Sequence, residues 1–261
     1  MAPAPLAFDD RGEGPAVVLV HGHPFDRSLW EPQREPLARR FRVVAPDLRG
    51  YGESAATPGT VTMRQLAADV EALLDGLGIH SAAFVGLSMG GLVAMELALA
   101  APSRCWALGL VAMTAEPVTE SERRERLATA ETLETVGLEP VVEAMRERLF
   151  GPNCPQEVVD RVVSMMRASD AHGAAAALRG RAERPDYRPG LRRLELPSFV
   201  CTGTHDSWST EAVTRELVGC LRHPRILLLQ DVGHLPNLER PDAFNRELLG
   251  FLEEAEETSE S

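Results

Sequence analysis

A serine flanked by glycines, placed between a strand-like and a helix-like segment, is the feature that most constrains this chain. Residues 86–90 (GLSMG) follow an apolar run, Ala82–Leu87, and precede an Ala- and Leu-rich segment, Met89–Ala101. A direct turn from strand to helix forces the apical residue into a strained backbone conformation and requires small neighbours. The pattern predicts a nucleophile at Ser88, with the Met89 N–H at a helix N-terminus that favours an oxyanion. The alternative is a glycine-rich turn with an incidental serine.

Short apolar runs rich in β-branched residues alternate with helix-like segments along most of the chain. Such alternation places strands in parallel and covers both faces of the sheet with helices. The sequence therefore predicts an α/β fold with a doubly wound, mostly parallel sheet. The predicted strands are 16–20, 41–45, 82–87, 106–111, 197–201 and 225–230, and the predicted helices are 29–40, 63–77, 89–101, 210–221 and 242–253.

A long helix-forming stretch interrupts this alternation. From about 116 to 188 the chain is rich in Ala, Glu, Arg and Met and contains no clear strand-like run. A helical insertion at this point predicts a cap over the carboxyl edge of the sheet, where ligands bind in open α/β sheets. The predicted division is a core in two parts, 1–115 and 189–253, a helical cap over 116–188, and a disordered acidic tail over 254–261.

A short loop with two histidines follows the first apolar run. In residues 21–24 (HGHP), Gly22 permits a tight bend that brings the next peptide toward the nucleophile, whereas Pro24 has no N–H to donate. The backbone N–H of His23 is therefore predicted as the second oxyanion donor, beside that of Met89. For the His21 side chain, a structural hydrogen bond is preferred over a catalytic role.

The acid and the base are predicted in the loops after two late strands. A serine nucleophile in this strand–turn–helix context is followed along the chain by an acid and then by a histidine. His234, after strand 225–230, is the predicted base, and Asp206, after strand 197–201, is the predicted acid that fixes its tautomer. Asp231 is a weaker alternative, more typical of a turn. The rejected histidines are His80 and His223, which precede strands, and His205, which is expected to face away from the site.

Composition excludes several classes of function. The chain has 261 residues and a formal net charge of −12, and all 27 of its basic residues are Arg. The acidity argues against binding to nucleic acid or to an anionic membrane, and mechanisms that need a lysine are excluded. The four scattered cysteines lack metal-ligand spacing, and neither a metal nor a cofactor is predicted. With no signal-peptide pattern and no apolar run long enough to span a bilayer, the expected location is cytoplasmic.

The substrate pocket has the weakest signals in the sequence. Trp208, two residues after the predicted acid, is a candidate lining residue, and so is Met145 in the predicted cap. For Met145, ordinary helix packing is the alternative. Arg179 and its neighbour Arg181 are candidates for binding a substrate carboxylate, with a solvated helix face as the alternative.

Five segments together resemble the α/β-hydrolase superfamily. They are VLVHGHPFDRSLW (18–30), APDLRGYGES (45–54), FVGLSMGG (84–91), CTGTHDSW (201–208) and DVGHLPNLERP (231–241). The similarity spans about residues 6–253 and is greatest to the branch of 3-oxoadipate enol-lactonases, carboxylesterases and cofactor-free haloperoxidases. It implies a Ser88–Asp206–His234 triad with oxyanion donors at His23 and Met89. A serine at position 88 argues against the similar dehalogenases and epoxide hydrolases, which use an aspartate nucleophile.

Three functional hypotheses follow, all with a small molecule as the expected partner. The first is a serine hydrolase of an ester or lactone. The second uses the same triad for perhydrolysis, C–C cleavage or a biosynthetic cyclisation. The third is a binding module without catalysis. The sequence is compatible with a homo-oligomer.

Overall fold

The apolar runs of the sequence form the centre of one sheet in the computed structural model, which describes residues 2–222 and 224–259. Its strands are β1 (Phe8–Arg11), β2 (Ala16–Val20), β3 (Arg42–Pro46), β4 (Ala82–Leu87), β5 (Cys105–Val111), β6 (Ser198–Gly203) and β7 (Arg225–Leu229). Their order is β1-β3-β2-β4-β5-β6-β7, and every neighbouring pair is parallel except β1 with β3. The predicted α/β class with a mostly parallel sheet is therefore confirmed.

One edge strand was not predicted. Residues 8–11 read FDDR, and they pair antiparallel to β3, with Phe8 opposite Pro46 and Arg11 opposite Val43. An edge strand of this kind lies largely in solvent and needs no apolar run. The hydrophobic pattern used for the other strands therefore carries no signal for it.

Helices cover both faces of the sheet because the strand side chains alternate between them. In β2, Val18 and Val20 contribute to one hydrophobic cluster, and Val17 and Leu19 to the other. The helices are α1 (Glu31–Ala38), α2 (Met63–Gly76), α3 (Met89–Ala100), α4 (Glu120–Thr135), α5 (Glu139–Leu149), α6 (Gln156–Ala168), α7 (Ala171–Arg181), α8 (Arg188–Leu191), α9 (Glu211–Val218), α10 (Pro236–Glu239) and α11 (Pro241–Ser259). Helices α2 and α3 pack into the first cluster, and α1 and α11 into the second.

Helix α3 is apolar almost all round and is the most enclosed helix near the predicted nucleophile. Its buried side chains include Leu92, Val93, Met95 and Leu97. A helix with this pattern is buried on every side rather than along one stripe. Ser88, which immediately precedes α3, is thus attached to a closely packed part of the core.

Helices α4 to α7 follow one another between β5 and β6. Helix α4 packs against α7, and α5 packs against α6. They begin at Glu120 and end at Arg181, inside the stretch 116–188 that the sequence sets apart as a cap. No helix of the described residues is both long and apolar enough to cross a membrane.

The predicted disordered tail over 254–261 is wrong for the part that the structure describes. Helix α11 continues to Ser259, and residues 260–261 lie outside the described residues. Ala255 is buried, at 3% exposure, on the same helical face as Phe251 and Leu252, and Glu256 pairs with Arg40 at 2.9 Å. The acidic composition concealed this continued helical spacing.

Candidate active site

Ser88 lies at the apex of the turn between β4 and α3. Its backbone has φ 55° and ψ −114°, a region that residues other than glycine rarely adopt. The turn closes only around glycines. A side chain at Gly86 would collide with the Gly90 carbonyl, and one at Gly90 would collide with the Val20 carbonyl. The local geometry is therefore that of a strained strand-to-helix turn that presents the serine hydroxyl.

Asp206 and His234 meet across the loops that follow β6 and β7. His234 Nδ1 lies 2.7 Å from Asp206 Oδ2, and both residues are buried, at 5% and 3% exposure. An ionised carboxylate only accepts hydrogen bonds, so the proton of the neutral ring lies on Nδ1. Nε2 then keeps its lone pair and is free to accept a proton from another group.

Asp206 is held as a carboxylate by several donors. Oδ1 accepts hydrogen bonds from the backbone N–H groups of Trp208 and Ser209, at 2.9 and 3.1 Å, and the Ser209 hydroxyl donates to Oδ2. Burial by itself would raise the pKa of Asp206. The electrostatic attraction and hydrogen bond of His234, together with these further donors, outweigh this effect, so the pKa of Asp206 lies well below its usual range.

Ser88 and His234 face one cavity of about 720 Å³, which helices of the insertion also line. In the described part of the chain, no direct hydrogen bond joins the Ser88 hydroxyl to the His234 ring. Catalytic hydrogen bonds are often long without substrate and tighten in the complex. The cavity volume is within the range of sites for small molecules.

The loop after β2 lies against the serine. A Cβ atom at Gly22 would stand 3.3 Å from the Ser88 Cβ, which places the following peptide of His23 beside the nucleophile. His21 Nε2 accepts a hydrogen bond from the Leu48 N–H at 2.9 Å, and its Nδ1 lies 2.8 Å from the Gly22 carbonyl. Fully buried and bonded through both nitrogens, the His21 side chain has the structural position that the sequence analysis preferred.

The sequence does not predict where the His23 side chain points. In the structure it points toward Tyr51. Nδ1 of His23 lies 2.8 Å from the Tyr51 hydroxyl, and the ring lines the cavity beside Ser88. Burial lowers the pKa of His23 well below its usual value, and the charge of Arg181 lowers it further. His23 is therefore neutral at neutral pH.

Two of the three predicted pocket residues line the cavity, and one does not. Trp208 and Met145 are lining residues. The prediction for Arg179 is wrong, because its guanidinium pairs with Glu134 at 2.8 and 2.5 Å, on another side of α7. Arg181 lines the cavity instead. Residues two apart are separated by about 200° around a helix, so only one of the two arginines can face the pocket.

Trp208 also contacts His234. Its ring lies edge-on to His234, with the ring centroids 4.9 Å apart and an interplanar angle of 67°. Arg148, from α5, stacks over the indole with its guanidinium carbon 4.4 Å from the ring centroid. Sequence reasoning placed Trp208 in the pocket but carried no signal for either ring contact.

The loop that carries His234 is attached to the segment after α5. The His234 N–H donates to the Leu149 carbonyl at 2.7 Å. Glu239 accepts hydrogen bonds from the N–H of Gly151 at 2.9 Å and from that of Gly233 at 3.0 Å. One buried carboxylate thus joins the loop of His234 to the inserted helices.

The rejected candidates lie away from these contacts. His205 and Asp231 are both exposed and face each other at 3.8 Å, and Asp231 has the positive φ of a turn residue. His80 is exposed, and His223 lies outside the described residues. The sequence carries no signal for Ser209, whose N–H and hydroxyl both donate to Asp206.

Comparisons with known proteins agree with this architecture. The alpha/beta hydrolase family matches residues 17–247. A 3-oxoadipate enol-lactonase of Acinetobacter baylyi is 32% identical over 90% of this chain and 87% of its own length. A malate-bound thermophilic esterase of Thermogutta terrifontis has a TM-score of 0.93 at 35% identity, covering 96% of this chain and 93% of its own. The enol-lactonase of Burkholderia xenovorans has a TM-score of 0.87 at 32% identity, covering 95% and 96%. The chain is therefore an enzyme that belongs to the alpha/beta hydrolase family.

Proposed function

We propose that this enzyme hydrolyses a carboxylic ester or lactone of a small molecule through an acyl-enzyme on Ser88. The observation that carries the proposal is the 2.7 Å contact between His234 and Asp206, at the wall of the cavity that Ser88 faces. The similarity to enol-lactonases and to an esterase supports the same reaction class.

The reaction begins when the Ser88 oxygen attacks the substrate carbonyl carbon. His234 Nε2 takes the serine proton, and Asp206 stabilises the protonated imidazole through Nδ1. The bond from carbon to the leaving oxygen then breaks, and that oxygen takes the proton from His234. Water repeats the sequence on the acyl-enzyme and releases the acid, so that one ester bond and one water are consumed.

Negative charge develops on the carbonyl oxygen during both attacks. The proposed donors are the backbone N–H groups of Met89, at the start of α3, and of His23, in the loop against Ser88. Each such donor typically contributes about 3 kcal/mol to stabilising the transition state. Neither donor depends on a side chain, so we expect substitutions of the His23 ring to spare this part of the site.

The test combines turnover with labelling of the nucleophile. Wild type should hydrolyse p-nitrophenyl butyrate, and Ser88→Ala and His234→Ala should each lower kcat/KM by about 10³-fold or more. A fluorophosphonate should label Ser88 in the wild type, as located by peptide mass spectrometry. His205→Ala, an exposed histidine next to the proposed acid, is the matched control and should keep wild-type activity.

Retention of turnover by Ser88→Ala, or labelling at another residue, would overturn the proposal. Binding of ligands without turnover of any ester or lactone would instead favour a non-catalytic module. Added hydrogen peroxide tests perhydrolysis, since it competes with water for the same acyl-enzyme.

A further inference from the structure

Two arginines of the inserted helices line the same cavity as Ser88. Arg126 lies on α4 and Arg181 on α7, two helices that pack together. Nε of Arg181 and Nη1 of Arg126 are shielded from solvent and have no hydrogen-bond partner in the described part of the chain. These two enclosed atoms face protein, and the two side chains line the cavity through their other atoms. Buried donors are normally paired, so the protein by itself does not fully satisfy these two arginines.

The surrounding charges do not supply that acceptor. Glu122 lies 3.3 Å from Arg126 and 3.9 Å from Arg184, and its carboxylate also accepts a hydrogen bond from the Thr119 N–H. Arg181 forms no ion pair with a described residue. Glu125 also lines the cavity, but it is exposed to solvent. Glu122 is thus shared by Arg126 and Arg184, and no described carboxylate forms an ion pair with Arg181.

Such an arrangement lowers stability when the cavity is empty. Burial and the charges of Arg126 and Arg184 lower the pKa of Arg181 to about 9, so the group still carries its charge at neutral pH. A desolvated cation without a counter-ion is unfavourable in a folded protein. An anion in the cavity would relieve the repulsion between these cations.

We propose, on the basis of the function proposed above, that Arg126 and Arg181 bind a carboxylate carried by the substrate. The substrate class is then an ester or lactone with a second, free carboxylate, such as the half-ester of a short dicarboxylic acid. The planar fork of a guanidinium matches the two oxygens of a carboxylate, which favours this anion.

The test places the carboxylate on the acyl part of the substrate. The leaving oxygen must face His234 to take its proton, and Trp208, from the loop after β6, contacts His234. Arg126 and Arg181 line the cavity from other elements, α4 and α7. The acyl group, which stays bonded to Ser88 when the leaving group departs, is therefore the part that we assign to the two arginines.

Matched substrates test this assignment. The half-esters monomethyl glutarate and monomethyl adipate are compared with methyl pentanoate and methyl hexanoate, which lack the second carboxylate. Wild type should show a kcat/KM about 10- to 100-fold higher for the half-esters, as expected for hydrogen bonds to a charged group. Arg181→Gln and Arg126→Gln should remove most of this preference while hydrolysis of the neutral esters continues.

Arg179→Gln is the matched control, because Arg179 lies two residues away on the same helix and pairs with Glu134. It should keep the wild-type preference. Equal kcat/KM for charged and neutral esters in the wild type, or an unchanged preference in Arg181→Gln, would overturn the subsite and leave the hydrolase intact. Loss of all ester turnover in the wild type would instead overturn the proposed function.

A binding measurement keeps the subsite testable without catalysis. Glutarate should bind to Ser88→Ala by calorimetry, and the double variant Ser88→Ala with Arg181→Gln should lose about 10-fold or more in affinity. Inorganic phosphate serves as the competing anion. Absence of glutarate binding, or phosphate binding that is tighter than glutarate binding, would contradict a carboxylate site.

Discussion

The indole of Trp208 lies edge-on against the imidazole of His234, with the ring centroids 4.9 Å apart. The contact restrains the same ring that meets Asp206 through its Nδ1. Arg148 in turn covers the indole, with its Nε 3.3 Å from the Ser207 hydroxyl. The orientation of the proposed base therefore depends on a stack of three side chains, one of which belongs to α5.

Removal of the indole should therefore weaken the positioning of the base. We expect Trp208→Ala to lower kcat for a small acetate ester by about 3- to 10-fold, since such ring contacts contribute about 0.5–1.5 kcal/mol. Trp208→Phe should recover part of the loss because it retains an aromatic edge. The rate of fluorophosphonate labelling should fall in parallel with kcat. An unchanged labelling rate in Trp208→Ala would show that the ring contact has no effect on the base.

The depressed pKa of Asp206 predicts a pH-dependent contribution to stability. The stabilisation by its carboxylate is fully present above the pKa of an unfolded aspartate, about 3.9, and is lost as the pH falls toward the lower folded value. Asp206→Asn should therefore lower the free energy of unfolding by about 3 kcal/mol at pH 7. The difference should shrink steadily below pH ~4. Urea denaturation from pH 7 to 3 measures it.

Asp231→Asn provides the control for that series. Asp231 is exposed and has φ 57°, a conformation that asparagine tolerates well. Its stability should match the wild type across the same pH range. A difference between Asp206→Asn and wild type that does not change with pH would contradict the assigned carboxylate pairing.

The strained backbone of Ser88 predicts that activity and stability oppose each other at this position. Ser88→Gly and Ser88→Ala should both be inactive, but glycine adopts φ 55° without strain. We expect Ser88→Gly to be more stable than Ser88→Ala by about 1 kcal/mol in urea denaturation. Equal stability of the two variants would show that the turn stores no strain at the serine.

The unpaired charge of Arg181 predicts a stabilising substitution. Arg181→Met removes a cation that the described residues do not neutralise and keeps much of its volume. The melting temperature should rise by ~2–4 °C for each kcal/mol gained in a protein of this size. Arg179→Met, the control on the same helix, should change it little because its ion pair is partly exposed. A fall in the melting temperature of Arg181→Met would indicate a structural role.

The parts of the molecule that depend on local pattern were predictable. Strand 82–87 and the turn at Ser88 were placed from apolar runs and glycine spacing, and the structure has the strand at Ala82–Leu87. Asp206 and His234 followed from the order of strands, because the carboxyl ends of parallel strands meet at one edge of the sheet.

Side-chain directions on the inserted helices were not predictable. The difference between Arg179 and Arg181 depends on how α7 is rotated against α4, which is decided by packing between helices. The contact of Trp208 with His234 likewise depends on the path of a loop. The edge strand at Phe8–Arg11 and the helical end of the chain were missed because their polar residues hide the periodicity.

The hydrogen bonds of Glu239 have a consequence for redesign of specificity. Because this carboxylate holds Gly151 and Gly233 together, exchanging the inserted helices for those of a relative would also shift His234, the proposed base. A chimaera that replaces residue 151 together with the inserted helices has to form the two hydrogen bonds of Glu239 again. A chimaera that keeps residues 149–151 and replaces only the helices around them would change the pocket and preserve the position of His234.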